Sequence, residues 1–422
     1  MNTASDTADG TSVNARFNGL SKVLALALAP LVALGFSRFS YALLLPAMQS
    51  DLGWSLSQAG ALNTANGLGY LIGAAASAFI GRRWGESKGF GASMLLSALA
   101  LLLSGLVDDW HAFMAVRFFG GVSTAVTFVL GTALAARAMP QRPATALACY
   151  FGGSGMGMVL AGSVLPHWVE ASANGWQAAW LLMGAAAVLA AFVSTAAAKA
   201  LPSGNAHQPR AQDGSGLRPL WPSLAANALF GAGYVGYTTF VIALLRQQGY
   251  STTATSIFFC ALGLASLLAT PAWGRGLARM RNGHGFAVVS VCVAIGSVPV
   301  LLSPLLPSLA FSALVFGASF MAGPAAVSLV AQRMLPAPQL AGALGALTAA
   351  FSLGQSIGPV LAGWIADASG RLEAGLWLGP VLLVCAGVTS LAQLKGSSPK
   401  PSAVQEPRAL QQRTPGARRP QA

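Results

Sequence analysis

The chain has 422 residues, 55% of them hydrophobic and only 8% charged, with a mean hydropathy of +0.62. Soluble domains carry roughly 25% charged residues, so this composition excludes a water-soluble globule. The net charge of +13 does not point to nucleic acid, because the basic residues lie between apolar runs and in the tails, not in a stripe interleaved with aromatics.

A polar N-terminal segment, residues 1–20, reads as a disordered cytoplasmic tail without a cleavable signal. Twelve apolar runs follow, at 21–48, 55–80, 89–107, 110–136, 145–168, 176–198, 220–245, 252–274, 285–303, 308–332, 340–366 and 372–394. None alternates with period two, so each reads as a membrane helix of about 20 residues and not as a barrel strand. Between the sixth and seventh runs, LPSGNAHQPRAQDGSG marks a polar linker, assigned to 199–219. It separates an N-terminal bundle, 21–198, from a C-terminal one, 220–395. Beyond 396 a basic tail rich in Pro and Gln is expected to be disordered. The fold class expected is all-α: twelve transmembrane helices in two pseudo-symmetric six-helix bundles.

Basic residues alternate with the runs. Arg82, Arg83 and Lys88 follow the second, Arg137 and Arg142 the fourth, Lys199 the sixth, Arg275, Arg279 and Arg281 the eighth, and Arg333 the tenth. The opposite loops hold Asp51, Asp108, Asp109 and Glu170. The positive-inside rule then places both termini in the cytoplasm of a cell whose inner membrane the chain spans many times. Cys149, Cys260, Cys292 and Cys385 sit in apolar runs without CxxC spacing, so no metal and no cofactor is expected.

The two halves resemble each other. YFGGSGMGMVLAG (150–162) aligns without gaps to FSLGQSIGPVLAG (351–363), and GFSRFSY (35–41) to GAGYVGY (231–237), which sets Tyr234 opposite Arg38. Gly153, Gly157, Gly354 and Gly358 are expected where helices of opposite halves pass closely, since a missing Cβ permits sliding contact.

Several motifs resemble the major facilitator superfamily of secondary transporters. Arg117 and Gly121 in RFFGGVSTA are similar to its fourth-helix motif, and GQSIGPVLAGWIAD (354–367) to its eleventh helix. GFSRFSYALLLPAM followed by ANGLGYLIGA resembles, more narrowly, the YbfB/YjiJ-type bacterial permeases. The resemblance implies that the first, fourth, seventh and tenth helices line a central cavity. In FIGRRWGESKG, Arg82 stands where the superfamily carries an Asp, which puts its charge relay in doubt here.

Away from the ends of the runs, two charged residues remain inside them, Arg38 and Arg117. Intramembrane charge costs from roughly 3 to above 10 kcal/mol, so such residues usually mark a pathway. Polar side chains recur on shared helix faces: Asn63, Asn66 and Tyr70; Ser37, Arg38 and Tyr41; Tyr150 and Ser154; Asn227, Tyr234 and Thr238; Thr348, Ser352 and Gln355. Arg38, Tyr41, Asn66, Tyr70, Arg117, Tyr150, Tyr234 and Gln355 are therefore the candidate substrate-binding residues. Arg117 is equally placed to tether helices through backbone carbonyls.

An enzyme would need a nucleophile with a base, paired carboxylates or a metal cluster inside the membrane, and the runs offer none. No GxxxxGK[ST] stretch supports ATP-driven pumping. The expectation is a monomeric secondary transporter for a small solute, an organic anion in the first reading and a drug or neutral metabolite exported in the second. Protons are a candidate coupling ion. The remaining partner is the bilayer.

Overall fold

The computed structural model describes residues 19–172, 174–202 and 217–393. Nearly all of the expected N-terminal tail, most of the 199–219 linker and all of the 396–422 tail lie outside the described residues. Every long regular element described is helical. In chain order these are α1 (Gly19–Leu52), α2 (Leu56–Trp84), α3 (Glu86–Ser104), α4 (Trp110–Ala138), α5 (Pro143–Ala171) and α6 (Gly175–Lys199). A 3₁₀ turn at Arg218–Leu220 leads into α7 (Trp221–Gln247). There follow α8 (Thr252–Leu267 with Ala269–Arg279), α9 (His284–Leu302), α10 (Leu306–Met334), α11 (Ala337–Ser369) and α12 (Leu372–Leu391).

Ten of these helices are long and apolar enough to cross a membrane, and eleven if the bent α8 counts as one span. The sequence expectation was twelve. The helix that falls short is α2: its 29 residues include Ser57, Gln58, Asn63, Thr64 and Asn66 besides many glycines. The exposed side chains carry the other half of the membrane signature. Leu96 and Leu99 of α3, Leu189 and Phe192 of α6, Ile295 of α9 and Val388 of α12 all point outward, which only a hydrocarbon solvent tolerates at this density.

Local chemistry sets the helix ends. Ser55 and Gln58 form a capping box at the start of α2, and Asp109 and Ser251 cap α4 and α8 through the amides of Ala112 and Ala254. Gly53 and Gly370, each at φ 65°, end α1 and α11 in the left-handed conformation that glycine adopts without strain.

Three irregularities escape the hydropathy pattern. Just after Pro30, which has no N–H to give, α1 widens into a π-helix over Leu31–Phe39, and the Ser40 amide reaches back to the Gly35 carbonyl at 3.0 Å. The two pieces of α8 are bent by 49°. A short break at residues 321–322 divides α10.

Helices of the N-terminal part pack on those of the C-terminal part along two seams, α2 against α11 and α5 against α8, while α7 runs through the centre beside α1, α11 and α12. At the end carrying Asp51, Asp109 and Asp367, here the acidic end, the α2–α11 seam is shut. Asp367 accepts the amides of Leu56 (3.0 Å) and Ser57 (2.8 Å) across it, while within the N-terminal half Trp110 of α4 donates to the Gln58 carbonyl. At the basic end, a side chain on Gly276 of α8 or Gly345 of α11 would meet open space.

The glycine expectation needs correcting. A Cβ on Gly153 would strike the Ala27 carbonyl, and one on Gly157 would crowd Leu31 and Gly35, both on α1. Gly354 and Gly358 press in the same way on Ala228 and Ala232 of α7. These glycines hold helices of the same half together, and Gly121 does likewise against Asn66 of α2. Glycines that press most closely on the opposite half include Gly60, Gly67 and Gly363 on the α2–α11 seam and Gly155, Gly162 and Gly263 on the α5–α8 seam.

The same contacts set the register of the repeat. A displacement of 201 residues relates Gly153 to Gly354, Gly157 to Gly358 and Ala27 to Ala228, together with the contacts each pair makes. Gly35 rests on Gly157 as Gly236 rests on Gly358. The counterpart of Arg38 is therefore Thr239, not Tyr234. The alignment of GFSRFSY to GAGYVGY slipped by five residues.

Candidate functional site

The π-helix of α1 carries Arg38 into the middle of the molecule, where only 8% of its surface remains exposed. Its Nη2 donates to Oε1 of Gln355, a fully buried residue of α11, and its guanidinium lies 5.9 Å from the Tyr70 ring of α2. Among the described residues no carboxylate pairs with it. Among the described residues Gln355 uses one end of its amide only: Nε2 is buried with no partner there. Leaving such a donor unmet costs about 1–3 kcal/mol.

Arg117 of α4 is differently employed. Its Nη1 donates to the Ser37 carbonyl at 2.6 Å and its Nη2 approaches Oδ1 of Asn63 at 3.5 Å. The guanidinium packs 4.9 Å from the Tyr41 ring and 5.7 Å from that of Trp180. Asn66 donates to the Arg117 carbonyl at 3.1 Å, and Tyr41 donates to that of Ala59 at 2.9 Å. These bonds tie α4 to α1 and α2, and α1 to α2. Tyr150 donates to the Phe128 carbonyl at 3.0 Å, closing α5 on α4.

The eight candidate residues thus divide. Arg38, Tyr70 and Gln355 converge on one spot. Arg117, Tyr41 and Asn66 form a neighbouring brace behind it, and Tyr150 lies in a third place. Tyr234 stands in an aromatic group, 5.6 Å from Phe320 and stacked at 5.8 Å on Phe351.

Two residues belong at the spot that the candidate set omits. Asn63 donates to Thr239 across the halves at 2.6 Å, and both line a small cavity with Arg38, Phe39, Ala42 and Thr238. Asn63 was visible on the polar face of α2. Thr239 was legible only through the correct repeat register. The cavity holds about 10 Å³, the room of a single water. A second cavity of the same size adjoins it through Phe39 and Thr238. A solute larger than water enters only if side chains or halves move apart.

Glu86 also escaped the sequence reading. It forms an ion pair with Arg137 at the basic end, so an acid four residues beyond Arg82 meets the fourth-helix cation. In the other half Arg333 instead bonds the carbonyls of Ala278 (2.8 Å) and Leu277 (3.4 Å) at the close of α8.

Residues 30–391 match the family described as uncharacterised MFS-type transporter YbfB. A chloramphenicol resistance protein of Streptomyces lividans is 27% identical over 375 residues, which span 84% of this chain and 91% of that one. A single-site variant of the nucleoside transporter NupG superposes with a TM-score of 0.71 at 14% identity, covering 89% of this chain and all of its own. The D-xylose-proton symporter gives 0.69 at 15% identity, covering 89% and 97%. A bacterial homologue of the lysosomal transporter Spinster, solved inward-facing and unoccupied, gives 0.66 at 15%, covering 89% and 95%. At such identities these likenesses show the fold.

Proposed function

The chain belongs to the YbfB-type family of major facilitator superfamily transporters, and from that premise we infer that it carries a small organic anion by alternating access. The carrying observation is Arg38: a buried permanent cation whose guanidinium, among the described residues, hydrogen-bonds a neutral amide oxygen and pairs with no carboxylate, beside an amide donor with no partner among them. A carboxylate relieves both deficits. It takes the planar fork of the guanidinium in two hydrogen bonds and accepts from Gln355 Nε2. Gln355 Oε1 occupies part of that place meanwhile.

In this reading α2 is the twelfth span, kept polar because one face meets Arg38 and another meets α11. Helices α1–α6 and α7–α12 are two pseudo-symmetric bundles that rock about the site. The state described is closed at the acidic end, so solute reaches Arg38 from the basic end. The basic end and both termini face the cytoplasm, and the protein works as a monomer in the inner membrane. Arg117, Tyr41, Asn66 and Tyr150 support the site without touching solute. Coupling to protons is consistent with the symporter likeness. A second reading, efflux of a neutral compound, is favoured by the name of the Streptomyces relative.

The test is a stability screen of purified protein against organic acids, amines and neutral compounds, since a ligand that prefers the folded form raises its melting temperature. Acids are expected to stabilise the wild type. Arg38→Ala should lose the response, and Arg38→Lys, which keeps charge but not the fork, should weaken it about tenfold or more. A screen in which only amines or neutral compounds act, equally on Arg38→Ala, overturns the anion reading.

A further inference from the structure

Around Arg38 the interior is divided into unlike parts. The cavity that touches Arg38 is polar on its α2 and α7 sides, with Asn63, Thr238 and Thr239. The adjoining cavity shares Phe39 and Thr238 with it but is otherwise apolar, walled by Met158 of α5, Phe259 and Leu262 of α8, Val241 of α7 and Phe320 of α10. Phe39 and Phe320 meet edge to face at 5.8 Å, so one aromatic contact between α1 and α10 borders the second cavity. Behind Phe320 the Tyr234 ring packs at 5.6 Å, and Tyr234 in turn contacts Phe351 and Phe230. Among the described residues that line the second cavity none is charged.

We propose that the adjoining cavity is a second subsite, which receives an apolar body attached to the anionic group held at Arg38. The solute is then an amphipathic monocarboxylate with a ring or branched chain, not a small hydrophilic acid or a dicarboxylate. This rests on the anion reading above and narrows it. The physical argument is complementarity in a dry place. The wall of Met158, Phe259, Leu262 and Phe320 offers no hydrogen bond to a hydroxyl or a second carboxylate, and burying either unpaired is costly. An apolar body gains instead from leaving water, by about fourfold in affinity for each methylene buried. Thioether and ring walls also adapt to irregular shapes. The polar positions lie on one flank only, so the solute has one orientation: carboxylate toward α2 and α11, body toward α5 and α8.

The experiment measures binding of acetate, hexanoate, benzoate, 3-phenylpropionate, succinate and benzamide to the purified full chain by titration calorimetry, with Arg38→Gln as the control for partition into detergent. Hexanoate and 3-phenylpropionate should bind at least tenfold tighter than acetate and succinate, and benzamide at least tenfold weaker than benzoate. Leu262→Asn and Phe259→Asn should bring the 3-phenylpropionate to acetate ratio toward one. Leu262→Ala, which only removes volume, should lower it in the same direction, so poor folding of the polar variants does not decide the matter. Acetate or succinate binding as tightly as 3-phenylpropionate overturns the second subsite and leaves the anion reading standing. Benzamide matching benzoate, in wild type and in Arg38→Gln alike, overturns the anion reading and the proposal with it. Absence of binding by every acid at millimolar concentration overturns both as well.

Discussion

Both seams between the halves are set by close-packed glycines, but the α2–α11 seam adds polar groups and the α5–α8 seam mostly apolar side chains. On the first, Asp367 caps the start of α2, Thr64 donates to the Ser356 carbonyl, and Gly67 lies against the Ser356 hydroxyl. On the second, Gly155 and Gly263 face each other and Gly162 fits over Phe259 and Cys260. Among the described residues, a hydrogen bond crosses there from the Cys260 thiol to the Val159 carbonyl, at 3.4 Å. Parting an apolar seam in lipid costs packing, which lipid tails partly restore. Parting a polar seam strands donors unless water follows. If the halves part as proposed, the α2–α11 side should release as a latch with discrete states, and the α5–α8 side should slide.

The largest effects should come from filling the close approaches. A Cβ on Gly60 would sit 2.7 Å from the Pro359 carbonyl carbon, and one on Gly155 would sit 2.7 Å from the Gly263 carbonyl oxygen. Gly60→Leu should hold the acidic end open. It should raise the reactivity of a lone cysteine at Thr238, in a background free of native cysteines, by about 100-fold, since overpacking costs about 1–3 kcal/mol or more. Gly155→Leu acts nearer the middle of its seam and should slow the same labelling change on solute addition without fixing one end open. Gly157→Leu and Gly358→Leu press on helices of their own half. They should reduce the folded fraction on size exclusion and leave labelling of the surviving protein unchanged. Wild-type folding with altered labelling in those two would restore the contact between halves that the structure denies them.

Removing the latch charge comes next in size. Asp367 neutralises the exposed amides at the start of α2, where a carboxylate also meets the positive end of the helix dipole. Asp367→Asn keeps an acceptor but drops the charge. Labelling at Thr238→Cys should rise up to about fivefold, the equivalent of about 1 kcal/mol. Asp367→Ala should do at least as much. No change in either variant would show that Asp367 decorates a seam closed by Gly60 and Gly363 alone.

Helix positions were legible because each run of about 20 apolar residues has one economical home in a bilayer. What hydropathy does not record is a one-residue widening such as the π-turn at Leu31–Phe39, and that turn is what carries Arg38 inward. The repeat was visible in the VLAG endings, where residue identities coincide. It slipped on α1 and α7, where Gly, Ser and Tyr recur too often to mark a register. The meeting of Arg38 with Gln355 follows from two polar faces seeking each other in an apolar interior, and both residues were named beforehand. The inward role of Thr239 and the bracing role of Tyr150 were not legible, because a hydroxyl on a helix face has its own backbone as an equally good partner.

The smallest expected effect tests the sliding seam. The Cys260 thiol is a weak donor, and its 3.4 Å bond to the Val159 carbonyl crosses from α8 to α5 next to Gly162. Cys260→Ala removes that bond and the sulfur volume but leaves the glycine contacts in place. If packing alone sets the seam, labelling at Thr238→Cys should stay within about twofold of the parent, well short of the change from Asp367→Asn, since a weak hydrogen bond contributes about 0.5 kcal/mol. Cys260→Leu should do more than Cys260→Ala, because added volume meets Gly162 whereas lost volume can be refilled. An alanine variant as strong as Asp367→Asn would mean that both seams are latched by hydrogen bonds. The contrast between α2–α11 and α5–α8 would then be one of composition, with no difference in how the two halves part.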